Sequence, residues 1–266
     1  MKLKTSYGIT DIYSQKPSNA TERALVLPGF GESTYHVKPV VDALAVNGYE
    51  SLTFSPPRRD VKQTGKHIDP ILRQGKIILE VLKATVSSGE KVHAVAHSLG
   101  AAAVLKAAQL QPEYFASLIL MQPAGIVTEH QSVYELARRA TKKLSTNQEV
   151  AKLSNDNSSG RVARTRLASG AVIAKQPLLA WREAAAAGDY DITGDLQRVA
   201  DLGIPIHLVA SKGDEMFDHV KVERNRSTVE GLVQTYTLLD EATANHDTFW
   251  IHPQNTAAIV QNLIKS

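Results

Sequence analysis

Three residues whose side chains could act together in nucleophilic chemistry lie far apart in the sequence. Ser98 lies in AHSLG (96–100), between an apolar run and a helix-forming run, and Asp214 and His246 each follow a later apolar run. A serine is a weak nucleophile by itself, so it needs a histidine base, which a carboxylate in turn orients. The chain order serine, acid, histidine therefore predicts a Ser98–His246–Asp214 triad for acyl chemistry.

The position of Ser98 also allows a plainer interpretation. Serine is a preferred N-cap residue, so Ser98 could do no more than begin a helix. The small residues Ala96 and Gly100 favour a sharp turn in which strand and helix approach closely, which would expose the serine above the sheet. Both interpretations of Ser98 stay open until its partners in the later loops are considered.

Other residues compete for the acid and base roles. Asp218 lies four residues beyond Asp214 and is the alternative acid, whereas Gln122-Pro123 offers no carboxylate after the preceding strand. His252 could compete with His246, but it lies at a helix start and is expected at the surface.

The remaining histidines are expected to be bystanders. His97 is expected to point away from Ser98 into packing, and His93 is expected to be a satisfied core histidine within a strand. Three more histidines lie on loops that flank the expected pocket: His36, His67 and His130. They could touch substrate, but the favoured interpretation is that they are ordinary exposed residues.

The elements that must position these residues alternate between strand and helix. Short, near-continuous apolar runs are typical of strands that are buried on both faces of a sheet, so we predict a strand at each such run. Amphipathic runs between them predict helices, so the fold class is α/β with a mostly parallel sheet and helices on both faces. The predicted strands are 22–30, 49–54, 91–96, 117–122, 205–210 and 232–239, and the predicted helices are 36–48, 69–89, 98–110 and 252–266.

The alternation stops after Gly125. Residues 126–200 have helical character with a polar centre, and the strand pattern resumes at 205. We therefore expect a core formed by 1–125 and 201–266, with 126–200 inserted as a helical cap.

With these motifs in place, the sequence resembles the α/β-hydrolases, specifically serine hydrolases with an inserted helical cap. The resemblance covers nearly the whole chain and rests on four motifs in the family's order: PGFGES (28–33), AHSLG (96–100), SKGD (211–214) and NHDTFW (245–250). It implies that the backbone N–H groups of Phe30 and Leu99 form an oxyanion hole. The sequence departs from the family at Pro28, where a histidine is common, and at Ala96, where a glycine is usual.

The resemblance implies a serine hydrolase that cleaves an ester or thioester through an acyl-enzyme. Carbon–carbon bond hydrolysis, lyase or perhydrolase chemistry on the same triad is the alternative, and a non-enzymatic ligand-binding role is a third hypothesis. Because the nucleophile position holds serine rather than aspartate, dehalogenase and epoxide hydrolase chemistry are not expected. The partner is a small-molecule substrate, and the oligomeric state stays open.

Composition excludes several other classes. There are no cysteines, so disulfides, thiolate zinc sites and a cysteine nucleophile are absent. No metal-binding motif is evident, so neither a metal nor another cofactor is expected. The net charge of +3 is too small to predict nucleic-acid binding.

The terminal segment and the apolar runs give the expected location. The first residues lack the apolar run of a signal peptide, and no stretch is long enough to span a membrane, so a cytoplasmic protein is expected.

Two basic segments are conspicuous. Residues 138–175 contain nine Lys or Arg against Glu149 and Asp156, which would attract an anionic substrate or simply form a solvated helical face. Arg58 and Arg59 form a second basic loop, for which flexible exposure is the favoured interpretation.

Overall fold

The computed structural model describes residues 1–57, 68–127, 129–136, 138–139, 167–171, 173–240 and 244–266. Arg58, Arg59, His67 and six of the nine basic residues between 138 and 175 lie outside the described residues. The predictions that concern these positions therefore stay predictions.

Eight strands form one sheet. They are β1 (Lys2–Thr5), β2 (Gly8–Gln15), β3 (Glu22–Leu27), β4 (Tyr49–Phe54), β5 (Val92–His97), β6 (Phe115–Met121), β7 (Ile206–Ser211) and β8 (Thr235–Leu239). Their order across the sheet is β1-β2-β4-β3-β5-β6-β7-β8. The pairs β1–β2 and β2–β4 are antiparallel, and every other neighbouring pair is parallel.

The helices connect and cover these strands. They are α1 (Thr34–Val46), α2 (Pro70–Thr85), α3 (Leu99–Leu110), α4 (Pro177–Asp189), α5 (Thr193–Asp201), α6 (His219–Glu230), α7 (Thr248–Ile251) and α8 (Pro253–Lys265). Residues 133–136 and 167–171 are also helical. Within the described residues, no helix has both the length and the apolar composition that a membrane crossing requires.

The sheet is buried between two apolar cores, which explains the continuous apolar runs. Leu25 and Leu27 of β3 pack into one core with residues of α2, α3 and α5, whereas Ala24 and Val26 face the other core with residues of α1 and α8. Because successive side chains of a strand point to opposite faces, both sets must be apolar. The predicted fold class, a mostly parallel sheet with helices on both faces, is confirmed.

The N-terminal hairpin is the largest element that the sequence did not predict. β1 is the four-residue edge strand, and β2, which lies between β1 and β4, has eight residues of mixed polar and apolar type, GITDIYSQ. An edge strand buries only part of its surface, so its sequence lacks the apolar run that marks the central strands.

Candidate active site

Ser98 occupies the junction between β5 and α3 in a strained backbone conformation. Its φ is 51° and its ψ is −118°, a region that residues other than glycine rarely adopt. The Ser98 N–H donates to the Met121 carbonyl at 3.0 Å, and its carbonyl accepts from Ala101 and Ala124. The turn therefore belongs to a hydrogen-bonded framework. The Ser98 side chain makes no capping hydrogen bond to α3, so the N-cap interpretation does not account for it.

Two glycines make this turn possible. A Cβ on Gly100 would lie 2.6 Å from the Pro28 carbonyl oxygen, and a Cβ on Gly29 would lie 2.9 Å from the Ser98 Cβ. Both distances are shorter than a van der Waals contact. A side chain at either position would therefore clash, so the close approach of the loop after β3 to Ser98 and α3 requires glycine. Ala96, at the position where the family usually has glycine, is fully buried in the core.

The structure brings His246 and Asp214 to Ser98. The His246 Nε2 lies 3.1 Å from the Ser98 Oγ, and the His246 Nδ1 lies 2.8 Å from the Asp214 Oδ2. All three side chains are largely buried. Because the Nδ1 faces a carboxylate, a neutral His246 has its hydrogen there, and its Nε2 is left to accept the Ser98 hydroxyl proton.

The loops after β7 and β8 hold the acid and the histidine together. The Asp214 Oδ1 accepts hydrogen bonds from the Met216 N–H at 2.8 Å and the Phe217 N–H at 2.9 Å. Gly213 and Asn245 form an isolated parallel bridge between the two loops. A Cβ on Gly213 would lie 2.4 Å from the Ala244 carbonyl oxygen, so this contact requires glycine.

The loop after β3 brings Gly29, the residue before Phe30, against Ser98, because a Cβ on Gly29 would lie 2.9 Å from the Ser98 Cβ. Gly31, which follows Phe30, has a φ of 70° and bends the loop. The Phe30 side chain packs against a small apolar cluster that contains Leu99. Among the described residues, neither the Phe30 N–H nor the Leu99 N–H is bonded to an acceptor.

Comparison with known proteins gives the family. Residues 18–249 match the family model described as serine aminopeptidase, S33. The chain belongs to this α/β-hydrolase family. A search of curated protein sequences found no significant match.

Solved structures share the fold of this hydrolase at low sequence identity. A membrane phospholipase A described as a bacterial virulence factor is 15% identical with a TM-score of 0.73, over 100% of this chain and 85% of its own. An esterase from Exiguobacterium antarcticum is 14% identical with a TM-score of 0.70, over 100% and 99%. The enol-lactonase from Burkholderia xenovorans LB400 is 12% identical with a TM-score of 0.69, over 100% of both chains.

The competing acid and base candidates of the hydrolase have other roles. The Asp218 side chain accepts from the Val220 N–H at 3.0 Å and caps α6. The Gln122 side chain donates to the Ser211 hydroxyl at 2.6 Å. His252 precedes α8, as expected, but it is half-buried rather than a surface residue.

Three histidines can be compared with their predicted environments. His93 is hydrogen-bonded to Ser117 at 2.8 Å within the sheet, as expected of a satisfied strand residue. His130 is exposed and lies beside Asp189. The expectation for His36 was wrong: it lies in α1 and is buried, with its Nε2 2.7 Å from the Ser169 hydroxyl.

His97, which was expected to point away from Ser98 into packing, also makes polar contacts beside the site. Its ring is fully buried, as packing predicts, but its two nitrogens lie within hydrogen-bond distance of Glu32 and of the His246 carbonyl. Glu32 belongs to the PGFGES motif, from which the sequence predicted no role for it. The position of an acid inside a glycine-rich loop is the one sequence feature that could have indicated a role for Glu32. That feature does not reveal its partner His97, which is 65 residues away.

Glu215 is a second acid beside the site that the sequence did not reveal. Its Oε2 lies 3.4 Å from the His246 backbone N–H. Burial, with a smaller contribution from the neighbouring Asp214 charge, raises the pKa of Glu215 to about 7. Arg138 and Arg139 line a cleft with both acids, and Arg139 also donates to the Met216 carbonyl at 3.1 Å.

One group in the described part of the chain has the spacing of metal ligands. Ligand atoms of His97, His246 and Asp247 lie within 4.8 Å of one another. Both ring nitrogens of each histidine already face protein partners, namely Glu32 and a carbonyl for His97, and Ser98 and Asp214 for His246. These contacts explain the cluster without a metal ion.

Proposed function

We propose that this protein is a serine hydrolase that cleaves a carboxylic ester or thioester through an acyl-enzyme. The observation that supports the proposal most directly is the continuous contact from the Ser98 Oγ to the His246 Nε2 at 3.1 Å and from the His246 Nδ1 to Asp214 at 2.8 Å. The names of the similar structures, among them a phospholipase, an esterase and an enol-lactonase, favour the ester class of substrate.

The first half of the proposed reaction forms the acyl-enzyme. His246 takes the Ser98 hydroxyl proton at its Nε2 while the serine oxygen bonds to the substrate carbonyl carbon. The carbonyl oxygen becomes an oxyanion, to which the N–H groups of Phe30 and Leu99 donate. His246 then returns the proton to the departing alcohol or thiol as the bond to the acyl carbon breaks.

The second half releases the acid. Water gives a proton to His246 and its oxygen bonds to the acyl carbon, after which the bond to Ser98 breaks and the proton returns to the serine. Asp214 keeps the Nδ1 hydrogen of His246 in place and stabilises the imidazolium at each stage. The hydrogen bonds that Asp214 receives from the Met216 and Phe217 N–H groups fix its orientation for this role.

We further propose that residues 126–200 act as a cap over this site. The Ser169 hydroxyl contacts His36, and the Ile173 side chain lies 3.4 Å from where a Cβ on Gly31 would be. Both contacts bring described residues of this segment onto or beside the loop that supplies the Phe30 N–H. A segment in this position would shape the acyl or leaving-group pocket.

The decisive test is covalent labelling by a fluorophosphonate. We expect wild-type protein to be labelled on Ser98, identified by mass spectrometry of the labelled peptide, and Ser98→Ala to be unlabelled. Ser14→Ala, which changes an exposed serine of β2, is the matched control and should label like wild type. Folded wild-type protein that takes up no label would contradict the proposal.

Turnover then separates ester cleavage from other chemistry on the same residues. A panel of p-nitrophenyl esters and thioesters of graded acyl length should reveal hydrolysis, with Ser98→Ala reducing kcat by at least about 10⁴-fold. Labelling of Ser98 without turnover of any panel member would favour carbon–carbon hydrolysis, lyase or perhydrolase chemistry instead.

A further inference from the structure

A second buried acid–histidine pair lies directly behind the proposed triad. Glu32 is 5% exposed and His97 is 0% exposed. The His97 Nδ1 lies 3.0 Å from one Glu32 carboxylate oxygen and 3.1 Å from the other. One of these oxygens accepts from the Trp250 indole N–H at 3.0 Å, and the other accepts from the Gly29 backbone N–H.

The surroundings of this pair indicate its protonation. The His97 Nε2 lies 2.8 Å from the His246 carbonyl oxygen, and a carbonyl can only accept, so this nitrogen has a hydrogen. The His97 Nδ1 faces a carboxylate whose two oxygens each already receive an N–H bond, and such bonds favour the ionised acid. An ionised Glu32 facing a His97 imidazolium that donates from both nitrogens fits these contacts.

The pair connects the loop after β3 with the loop that contains His246. The proposed reaction requires these two loops to keep a fixed position relative to each other. Glu32 holds the Gly29 N–H, one residue before the Phe30 N–H that would donate to the oxyanion. His97 holds the carbonyl of His246, whose ring would move the proton. The His97 ring is fixed in turn by stacking on Phe249, with centroids 5.1 Å apart and planes 12° apart.

We propose that the Glu32–His97 ion pair is a positioning element, which sets the oxyanion loop and the backbone of His246 relative to Ser98. This inference rests on the proposed function. The physical reason is that a displacement of about 1 Å of a reacting group can cost about 10²-fold in rate. The pair acts through the Gly29 N–H, the His246 carbonyl and the His246 ring, whose centroid lies 4.8 Å from that of His97, so its loss should affect kcat rather than KM.

The first experiment reads protonation and does not depend on turnover. We expect ¹⁵N NMR of protein labelled in its histidine rings to show both nitrogens of His97 protonated at neutral pH, with the resonance assigned by its absence in His97→Phe. In Glu32→Gln the signal should change to that of a neutral ring protonated at Nε2. A wild-type His97 with one protonated nitrogen, unchanged in Glu32→Gln, would overturn the proposal.

The second experiment measures steady-state kinetics on the best ester of the panel. Glu32→Gln keeps the shape of the side chain, and His97→Phe keeps the stacking on Phe249. Both should lower kcat by about 10- to 100-fold while KM changes by less than about threefold. Glu22→Gln is the control, because Glu22 forms a more exposed acid–histidine pair with His93, at 3.7 Å, near the N-terminal ends of β3 and β5, and its kcat should not change.

The outcomes separate this inference from the proposed function. Unchanged kcat in both folded variants would reduce the pair to a structural role and overturn the inference while leaving the hydrolase proposal intact. Failure of wild-type protein to react with any fluorophosphonate or ester would overturn the proposed function, whereas the NMR experiment would still determine the state of His97.

Discussion

At the scale of single residues, the site depends on glycines at positions where any side chain would clash with a neighbouring residue. Gly100 lies in the first turn of α3 against the Pro28 carbonyl, and Gly29 lies against Ser98. The strained φ of Ser98 is held by hydrogen bonds to Met121, Ala101 and Ala124. The geometry of the serine therefore depends on small neighbours as much as on the serine itself.

A substitution at Gly100 tests this dependence. Gly100→Ala should lower the free energy of unfolding by about 1–3 kcal/mol and slow fluorophosphonate labelling, because the new Cβ would lie 2.6 Å from the Pro28 carbonyl oxygen. Thermal melting and labelling rates measure both effects. Gly170→Ala is the control, since a Cβ there meets nothing within 4 Å, and helical alanine is favoured over glycine. Equal stability of the two variants would contradict the steric argument.

The ionisation of Glu215 makes the free energy of unfolding depend on pH. A carboxyl whose pKa is raised to about 7 in the folded state binds its proton more tightly than in the unfolded chain, where the pKa is 4.5. Its contribution to stability is fully present below the unfolded pKa and is lost as the pH rises through about 7. The Asp214 and Asp247 charges oppose its ionisation, whereas hydrogen bonds from its own backbone N–H and from the His246 N–H favour it.

Replacing Glu215 by the neutral Gln should remove this pH dependence. Relative to wild type, Glu215→Gln should become more stable between pH 5 and pH 8. The difference in the free energy of unfolding should grow by about 1 kcal/mol, a figure that allows for solvent screening. That corresponds to about 2–4 °C for a chain of this size. Glu113→Gln, at an exposed position, is the control. A Tm difference that does not change with pH would show that Glu215 ionises normally.

At the scale of elements, a buried carboxylate joins α5 to α3. The Asp195 side chain is 1% exposed, lies 2.7 Å from the Lys106 Nζ, and also accepts from the Tyr190 hydroxyl and from Arg198. Burial acts to raise the pKa of Asp195, but the hydrogen bonds from Lys106 and Tyr190 outweigh it and hold the pKa below its ordinary value. The resulting stability is present above the unfolded pKa and is lost as the pH falls through the folded pKa.

Removing this carboxylate should detach α5 from the core. Asp195→Ala leaves Lys106 without its buried partner and should cost about 3 kcal/mol, which thermal or urea unfolding at pH 7 would measure. Asp240→Ala breaks a comparable pair with Lys212 at the surface and should leave Tm nearly unchanged. A small effect in both variants would mean that the Asp195 cluster does not hold the helix.

At the scale of the whole molecule, the site is assembled across the sheet from β5 to the edge. Ser98 follows the central β5, Asp214 follows β7, and His246 follows β8, 148 residues after the serine. Among the described strands, β8 pairs with β7 alone, and its residues are only partly buried, whereas β5 and β6 are almost wholly buried. The histidine therefore depends on the less protected side of the sheet.

Hydrogen exchange should reveal this gradient. Amides of β8 (Thr235–Leu239) should exchange faster than those of β5 (Val92–His97), because a partly exposed edge strand opens without global unfolding. Mass spectrometry of peptides from both strands measures the difference. Equal protection of β8 and β5 would indicate that the sheet opens as one unit.

The sequence by itself determined the alternation of strands and helices and the order of the motifs. Apolar runs and amphipathic periods report which faces of each segment are buried, and that information is local. It was sufficient for the mostly parallel sheet, and it placed Ser98, Asp214 and His246 each in the connection that follows a strand. It favoured Asp214 over Asp218 without excluding Asp218, and it failed for the hairpin β1–β2, whose position at the side of the sheet requires no apolar run.

Only the tertiary structure decided which side chains meet. Glu32 and His97 are 65 residues apart, and His97 and the His246 carbonyl are 149 apart, so no local pattern marks either contact. The environment of Glu215 likewise comes from burial and from a loop 31 residues away. Polar contacts inside the protein depend on how buried strand ends and loops come together, and hydrophobic periodicity contains no information about them.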